Sequence, residues 1–398
     1  MTIDAAERPG KFYSYLMMIG HICCDMNQST IPALLPFLVA QRGIDYAAAA
    51  GLMFASSSLS SLIQPLLGMM ADRRQMPWLM GAGIMMTGLG IASIGFLDSY
   101  WGIFAVVMFA GFGSALFHPE GARMANGVAG EKKGRAMSNF TTGGNLGFVI
   151  GPIVAAFAVS TWGLRGTAVA LIPTIAVSSV FFGLQKKLAS LSKQMQREMG
   201  RKASALGQKD DWPAFSRLFI SILARSIVQN GVQTFVPLYW MSVLMRSQQQ
   251  GSLMVTVMAL ASTAAAFTGG RLADRFGFRK IIRLAFSLMF PLIILMLMTK
   301  SVVVATVIVV LLAAMINLGH SPSVVLGQRY LPNRLGLASG VTLGLAVSVG
   351  GICSPLLGRI GDNYGLTTAF YVVAGVALLG FAGTLLLREP QSAAEPSG

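Results

Sequence analysis

"GRLADRFGFRK", residues 270–280, is a short charged block between two long apolar runs, and its first seven residues echo "GMMADRR", residues 68–74, at a spacing of 202. Asp274 stands over Asp72 and Arg275 over Arg73. The same spacing sets His320 over His118, Gly336 over Gly134, and "YGL" from Tyr364 over "WGL" from Trp162. A single register shared by such distant places marks an internal duplication.

The runs on either side of the block say what is duplicated. Of 398 residues, 54% are hydrophobic and 11% charged, and the mean hydropathy is +0.65. That balance excludes a soluble globular chain of ordinary usage. Twelve apolar runs recur, each near the length of about 20 residues that carries a helix across a hydrocarbon core of about 30 Å. The sequence therefore predicts an all-α integral membrane protein with twelve transmembrane helices in two six-helix pseudo-repeat bundles. A polar, basic stretch divides them, giving an N-terminal bundle over 1–184, a cytoplasmic linker over 185–214 and a C-terminal bundle over 215–398.

A formal net charge of +15 would point to nucleic acid in a soluble protein. Here the basic residues sit at span ends and report orientation instead. With the N-terminus in the cytoplasm, twenty-two Lys and Arg fall on that side and five on the other, so both termini are expected to be cytoplasmic. The partners expected are the lipid bilayer, protons and a small-molecule substrate, with no nucleic acid and a monomeric chain. The first apolar run is too long for a cleavable signal and lacks a small-residue cleavage site. Cys23, Cys24 and Cys353 fall inside spans and read as small core residues.

The first span, 12–39, carries "HICCDMNQSTIP" from His21 to Pro32. His21, Asp25 and Gln28 are four and three apart, which puts them on one helix face. A carboxylate in mid-bilayer costs at least a few kcal/mol, and such groups mark ion paths and proton relays; the plainer alternative is a polar contact that locks helices together. "DMNQSTIP" returns as "NGVQTFVP" from Asn230, matching Gln28 with Gln233 and Pro32 with Pro237. Asparagine fills the same shape without titrating, which favours a functional Asp25. Each proline frees the carbonyl one turn earlier, so both spans are expected to be broken there. Broken spans at equivalent places of two halves point to the binding site of a secondary transporter.

Other polar residues in spans have two readings each. Glu120 lies near the cytoplasmic end of the fourth span, two residues after His118 and three before Arg123; proton transfer and a local ion pair both fit. Arg225, with Gln229, Asn230 and Gln233 following, carries a permanent charge that can grip a phosphonate or carboxylate bidentately, or serve as counter-ion to Asp25 or Glu120. His320 reads as a satisfied polar contact. Proton coupling is thus expected at Asp25, His21 and Glu120, and substrate contact at Gln28, Arg123, Arg225, Gln229, Asn230 and Gln233. Gating is expected at Asp72, Arg73, Asp274 and Arg275, where a carboxylate can hold a neighbouring helix N-terminus. Gly147 and Gly151 form a small-xxx-small pair for close helix contact, with Pro152 adding a kink to the same gate.

Within a six-plus-six repeat, "GRLADRFGFRK" resembles the loop signature of the major facilitator superfamily; "GMMADRRQMP", its N-terminal copy, lacks the second glycine. "GGNLGFVIGP", residues 143–152, resembles the fifth-span motif of proton-coupled exporters, with Ala155 and Ala156 where a glycine pair is usual. Together with "HICCDMNQS", "FHPEGARMA" and "GQRYLPNRLGLASG", these stretches resemble the fosmidomycin-resistance branch of that superfamily. The resemblance implies proton-driven efflux of small drugs or organic anions from a bacterial inner membrane by alternating access, powered by the proton gradient without cofactor or metal. The alternatives are a proton-coupled importer of a small organic anion and, from the paired His21 and Asp25, a membrane-embedded enzyme.

Overall fold

A backbone inside hydrocarbon must satisfy its own hydrogen bonds, and for a chain of apolar runs about 20 residues long the helix is the solution. The computed structural model describes residues 7–73, 76–127, 133–199, 210–331, 338, 341–342 and 346–388. Among them there is no strand. The helices are α1 (Glu7–Arg42), α2 (Tyr46–Arg73), α3 (Trp78–Ser93), α4 (Tyr100–Gly127), α5 (Lys133–Trp162) and α6 (Leu171–Met199). They continue as α7 (Trp212–Ser242), α8 (Gln248–Phe276), α9 (Phe278–Met298), α10 (Val302–Leu318), α11 (His320–Tyr330), α12 (Ala346–Tyr364) and α13 (Leu366–Leu385). With α10 and α11 as two parts of one crossing, they make up a twelve-span, all-α membrane fold. Trp101, Phe157, Ile172, Val303 and Leu379 are all more than 60% exposed, an outward apolar belt suited to lipid.

The chain groups into two compact units. The first comprises residues 1–205 with 237–256, and the second 206–236 with 257–398. In the first, Met17, Cys23 and Cys24 of α1 pack with Met80 and Ile84 of α3, Phe117 of α4, Phe140 of α5 and Phe181 of α6 into one core. The three cysteines are free thiols.

Local structure departs from the sequence expectation in three places. Pro32 and Pro36 lie inside an unbroken α1, and Pro237 inside an unbroken α7. A proline in a membrane helix is tolerated when neighbouring elements support the freed backbone, and α1 has close backing from α5 along this segment. The interruption occurs instead at Gly319, inside what the hydropathy reads as one span over 302–326. Thirdly, α6 runs on to Met199, well into the stretch read as linker.

Candidate functional site

His21, Asp25, Asn27 and Gln28 of α1 present their polar side chains inside the first unit. Asp25 is 4% exposed, and both of its oxygens are engaged. Oδ2 lies 3.1 Å from His21 Nε2, one turn earlier on the same helix, and Oδ1 lies 3.0 Å from His118 Nε2 on α4. The far nitrogens are held as well. His21 Nδ1 sits 2.7 Å from the Phe140 carbonyl of α5, and His118 Nδ1 sits 2.9 Å from the Ser114 carbonyl and 3.1 Å from Ser114 Oγ. Ser114 Oγ donates in turn to Gln28 Oε1 at 2.9 Å, so Gln28 joins the same cluster. The His21 ring stacks on Phe140 at 4.0 Å between centroids and meets His118 edge-on at 5.0 Å.

The approach of α5 to α1 depends on glycine. A Cβ at Gly144 would lie 2.7 Å from Asp25 Oδ2 and from Cε1 and Nε2 of His21. At Gly147 it would lie 2.6 Å from the Ile22 carbonyl, and at Gly151 2.2 Å from the Met26 carbonyl. The stripe lets the α5 backbone lie directly on α1. It also brings the Phe140 carbonyl within reach of His21. Pro152 lies inside α5 beside the end of this stripe, without interrupting the helix. Asn27, also buried on α1, donates to Thr174 Oγ1 at 3.1 Å and helps hold α6 against α1.

Glu120 and Arg123 answer one another. Arg123 Nε reaches Glu120 Oε2 at 3.0 Å and Nη2 reaches Oε1 at 2.5 Å, with the carboxylate fully buried. This is the forked geometry that makes a guanidinium–carboxylate pair strong. The i, i+3 spacing allows this pair, and it occupies both groups expected from the sequence to serve elsewhere, Glu120 in proton transfer and Arg123 in substrate contact.

In the second unit, Arg225 is 2% exposed, yet its Nη1 finds only Gln229 Oε1, at 2.6 Å, and its Nε has no hydrogen-bond partner. Among the described residues no carboxylate lies within ion-pair distance of it. Asn230 donates to the Ser226 carbonyl at 3.0 Å, and Gly350 of α12 lies against both residues. Gln233 is half-buried. A permanent charge buried without a counter-ion is costly and calls for an anion.

At the end of α8, Asp274 is exposed and makes no ion pair among the described residues, while Arg275 lies over the Phe276 ring at 5.2 Å. Asp72 and Arg73 end α2, and their side chains lie outside the described part of the structure. His118 and Ser114 are the members of the site that sequence spacing did not assign. The one available signal was a second histidine in an apolar run, in the repeat register with His320. The Phe140 carbonyl, a backbone group, leaves no mark in a sequence. The three donor atoms of His21, Asp25 and His118 lie within 4.8 Å of one another, a donor set that can also hold a divalent ion.

The chain matches the Major Facilitator Superfamily over residues 17–343 and 218–398. The chain is 31% identical to an uncharacterized MFS-type transporter, YfnC, of Bacillus subtilis over 96% of this chain and 94% of that one. It is 26% identical to the fosmidomycin resistance protein of Escherichia coli over 91% and 89%. Among solved structures, a bacterial homolog of the human lysosomal transporter Spinster, in an inward-facing and occupied conformation, is similar with a TM-score of 0.77 at 13% identity, covering 95% of this chain and 96% of that one.

Proposed function

Because the chain belongs to the Major Facilitator Superfamily, we propose that it is a proton-coupled secondary transporter that exports small drugs or organic anions across a bacterial inner membrane by alternating access, with both termini cytoplasmic. Family and relatives make it a transporter and not an enzyme. The observation that carries the proton-coupled reading is Asp25, a buried carboxylate with an imidazole on each oxygen. A link that only held helices together would be cheaper as asparagine, which is what stands at Asn230 in the second half. Carboxylate and imidazole gain and lose protons reversibly, so the cluster can be loaded on one side of the membrane and emptied on the other.

Arg225 supplies the other part of the reading. Its unpartnered Nε and single neutral contact leave a guanidinium free to take an anionic oxygen pair bidentately. The name of the Escherichia coli relative, a fosmidomycin resistance protein, supports a drug-like organic anion. In the cycle, Asp25 takes a proton from the acidic outside, and the empty carrier crosses its occluded state with that charge neutralised. Facing the cytoplasm, it gives the proton up as the anion binds. Asp72 and Asp274 act at the cytoplasmic turns as latches, so Asp274→Asn slows turnover while equilibrium binding stays intact.

Arg225→Gln tests the anion site. Loss of a charged hydrogen bond weakens binding of labelled fosmidomycin or another anion by about 1.5–3 kcal/mol, while neutral and cationic compounds are spared. Removing an unpaired buried charge leaves thermal stability unchanged or raised. A fall in stability with equal loss for every compound would make Arg225 structural. Direction is read in proteoliposomes: an exporter that exchanges protons for substrate fills an acidic lumen, and an importer fills an alkaline one.

A further inference from the structure

We propose that His21, Asp25 and His118 together hold two exchangeable protons, which makes His118 a proton carrier beside Asp25. The inference follows from which atoms can donate. A carbonyl oxygen has no hydrogen, so the contacts from His21 Nδ1 to Phe140 O and from His118 Nδ1 to Ser114 O require a hydrogen on each Nδ1. Ser114 Oγ spends its own hydrogen on Gln28 and can only accept from His118. A neutral imidazole has one N–H. With both hydrogens on Nδ1, each Nε2 is a bare lone pair.

Those two lone pairs face separate oxygens of one carboxylate, at 3.1 and 3.0 Å. Without further protons, both contacts set acceptor against acceptor in a buried site. Each therefore needs one proton, on nitrogen or on oxygen. Two imidazolium ions with a carboxylate, or one imidazolium with a carboxylic acid and a neutral imidazole, are two arrangements of the same two protons. Either carries a net charge of +1, and loss of both protons leaves −1 and two repulsive contacts.

The consequence is mechanical. His21 and Asp25 share a helix and stay near each other whatever their charge. His118 is on α4, so the contact that opens on proton loss is the one between α1 and α4. Among the described side chains no other ionisable group competes from the helices packed on this face. α3 has none, and α5 presents Phe140, Gly144 and Gly147 and has none among its described side chains. Among the described side chains, α2 offers only Tyr46 at its start, and α6 offers only Lys186 and Lys187, both exposed. On α1 itself Cys24 is a buried thiol, and on α4 Glu120 is already matched by Arg123.

The occupancy stands on geometry alone; that the two protons travel in one transport cycle rests on the proton-coupled reading above. The chain has three histidines, so nitrogen NMR of the whole protein in nanodiscs, with labelled histidine, resolves the trio once His320→Gln removes the third signal. The infrared carbonyl band of a protonated Asp25, identified with Asp25→Asn, completes the proton count. The expected result is a plateau at two protons that empties as pH rises, with both Nδ1 atoms protonated throughout. A single proton at the plateau, or a bare Nδ1 on either ring, overturns the proposal. So does a stoichiometric metal ion bound to both Nε2 atoms, which would satisfy the same lone pairs. These readouts use no substrate, so they fail separately from proton coupling. In proteoliposomes with a pH-driven flux, the proton-to-substrate ratio from reversal measurements falls from two towards one in His118→Gln. An unchanged ratio there removes His118 from the cycle.

Discussion

At Asp25 the argument turns on what a buried carboxylate does when each of its oxygens meets a nitrogen. Half of that arrangement was legible in the sequence, because His21 and Asp25 lie four apart on one helix and their contact follows from helical geometry. The other half was not. His118 is 93 residues away and comes into range only when α4 packs on α1, so no local spacing could announce it. Gly144 shows how narrow the fit is. A methyl group there would sit 2.7 Å from the carboxylate and the imidazole, and forcing atoms into a filled site costs about 1–3 kcal/mol. Gly144→Ala is therefore expected to lower the thermal unfolding midpoint and impair pH-driven transport together. Wild-type behaviour in both assays would mean that the α1–α5 contact is looser than described. Where spacing was local it left two readings, and at Glu120 and Arg123 the structure shows the ion pair.

Helices and turns were legible in proportion to how far a one-dimensional pattern decides them. Apolar length sets the spans. Proline effects were misread because a neighbouring helix decides whether a freed carbonyl is tolerated, and the sequence of α1 does not contain α5. Glycine at turns is more reliable. Gly277 joins α8 to α9 with φ of 95°, and Gly365 joins α12 to α13 with φ of 85°. Residues with a Cβ rarely adopt that region, and holding one there costs about 1–3 kcal/mol. Gly277→Ala is expected to destabilise the protein by that order in thermal unfolding. Gly270→Ala, where a Cβ meets nothing within 4 Å and φ is ordinary, is the matched control and is expected to change stability little. Equal behaviour of the two variants would show that the α8–α9 turn bears no strain.

For the whole molecule, two features stand out: a buried His–Asp–His cluster in the first unit and, in the second, a buried guanidinium with no carboxylate partner among the described residues. A membrane transporter that kept both without coupling them would carry two costly buried charges to no effect. In the duplicated sequence Asp25 of one half stands over Asn230 of the other, and Arg225 lies five residues before Asn230. Proton coupling through Asp25 is the claim on which this account rests. Its most direct test compares the wild-type protein with Asp25→Asn in proteoliposomes of acidic lumen, measuring uptake of labelled fosmidomycin beside its exchange at equal pH. Wild-type vesicles are expected to concentrate the compound, whereas Asp25→Asn vesicles exchange it without concentrating it. Concentration by Asp25→Asn under the same pH gradient would contradict the account and move the proton to another group.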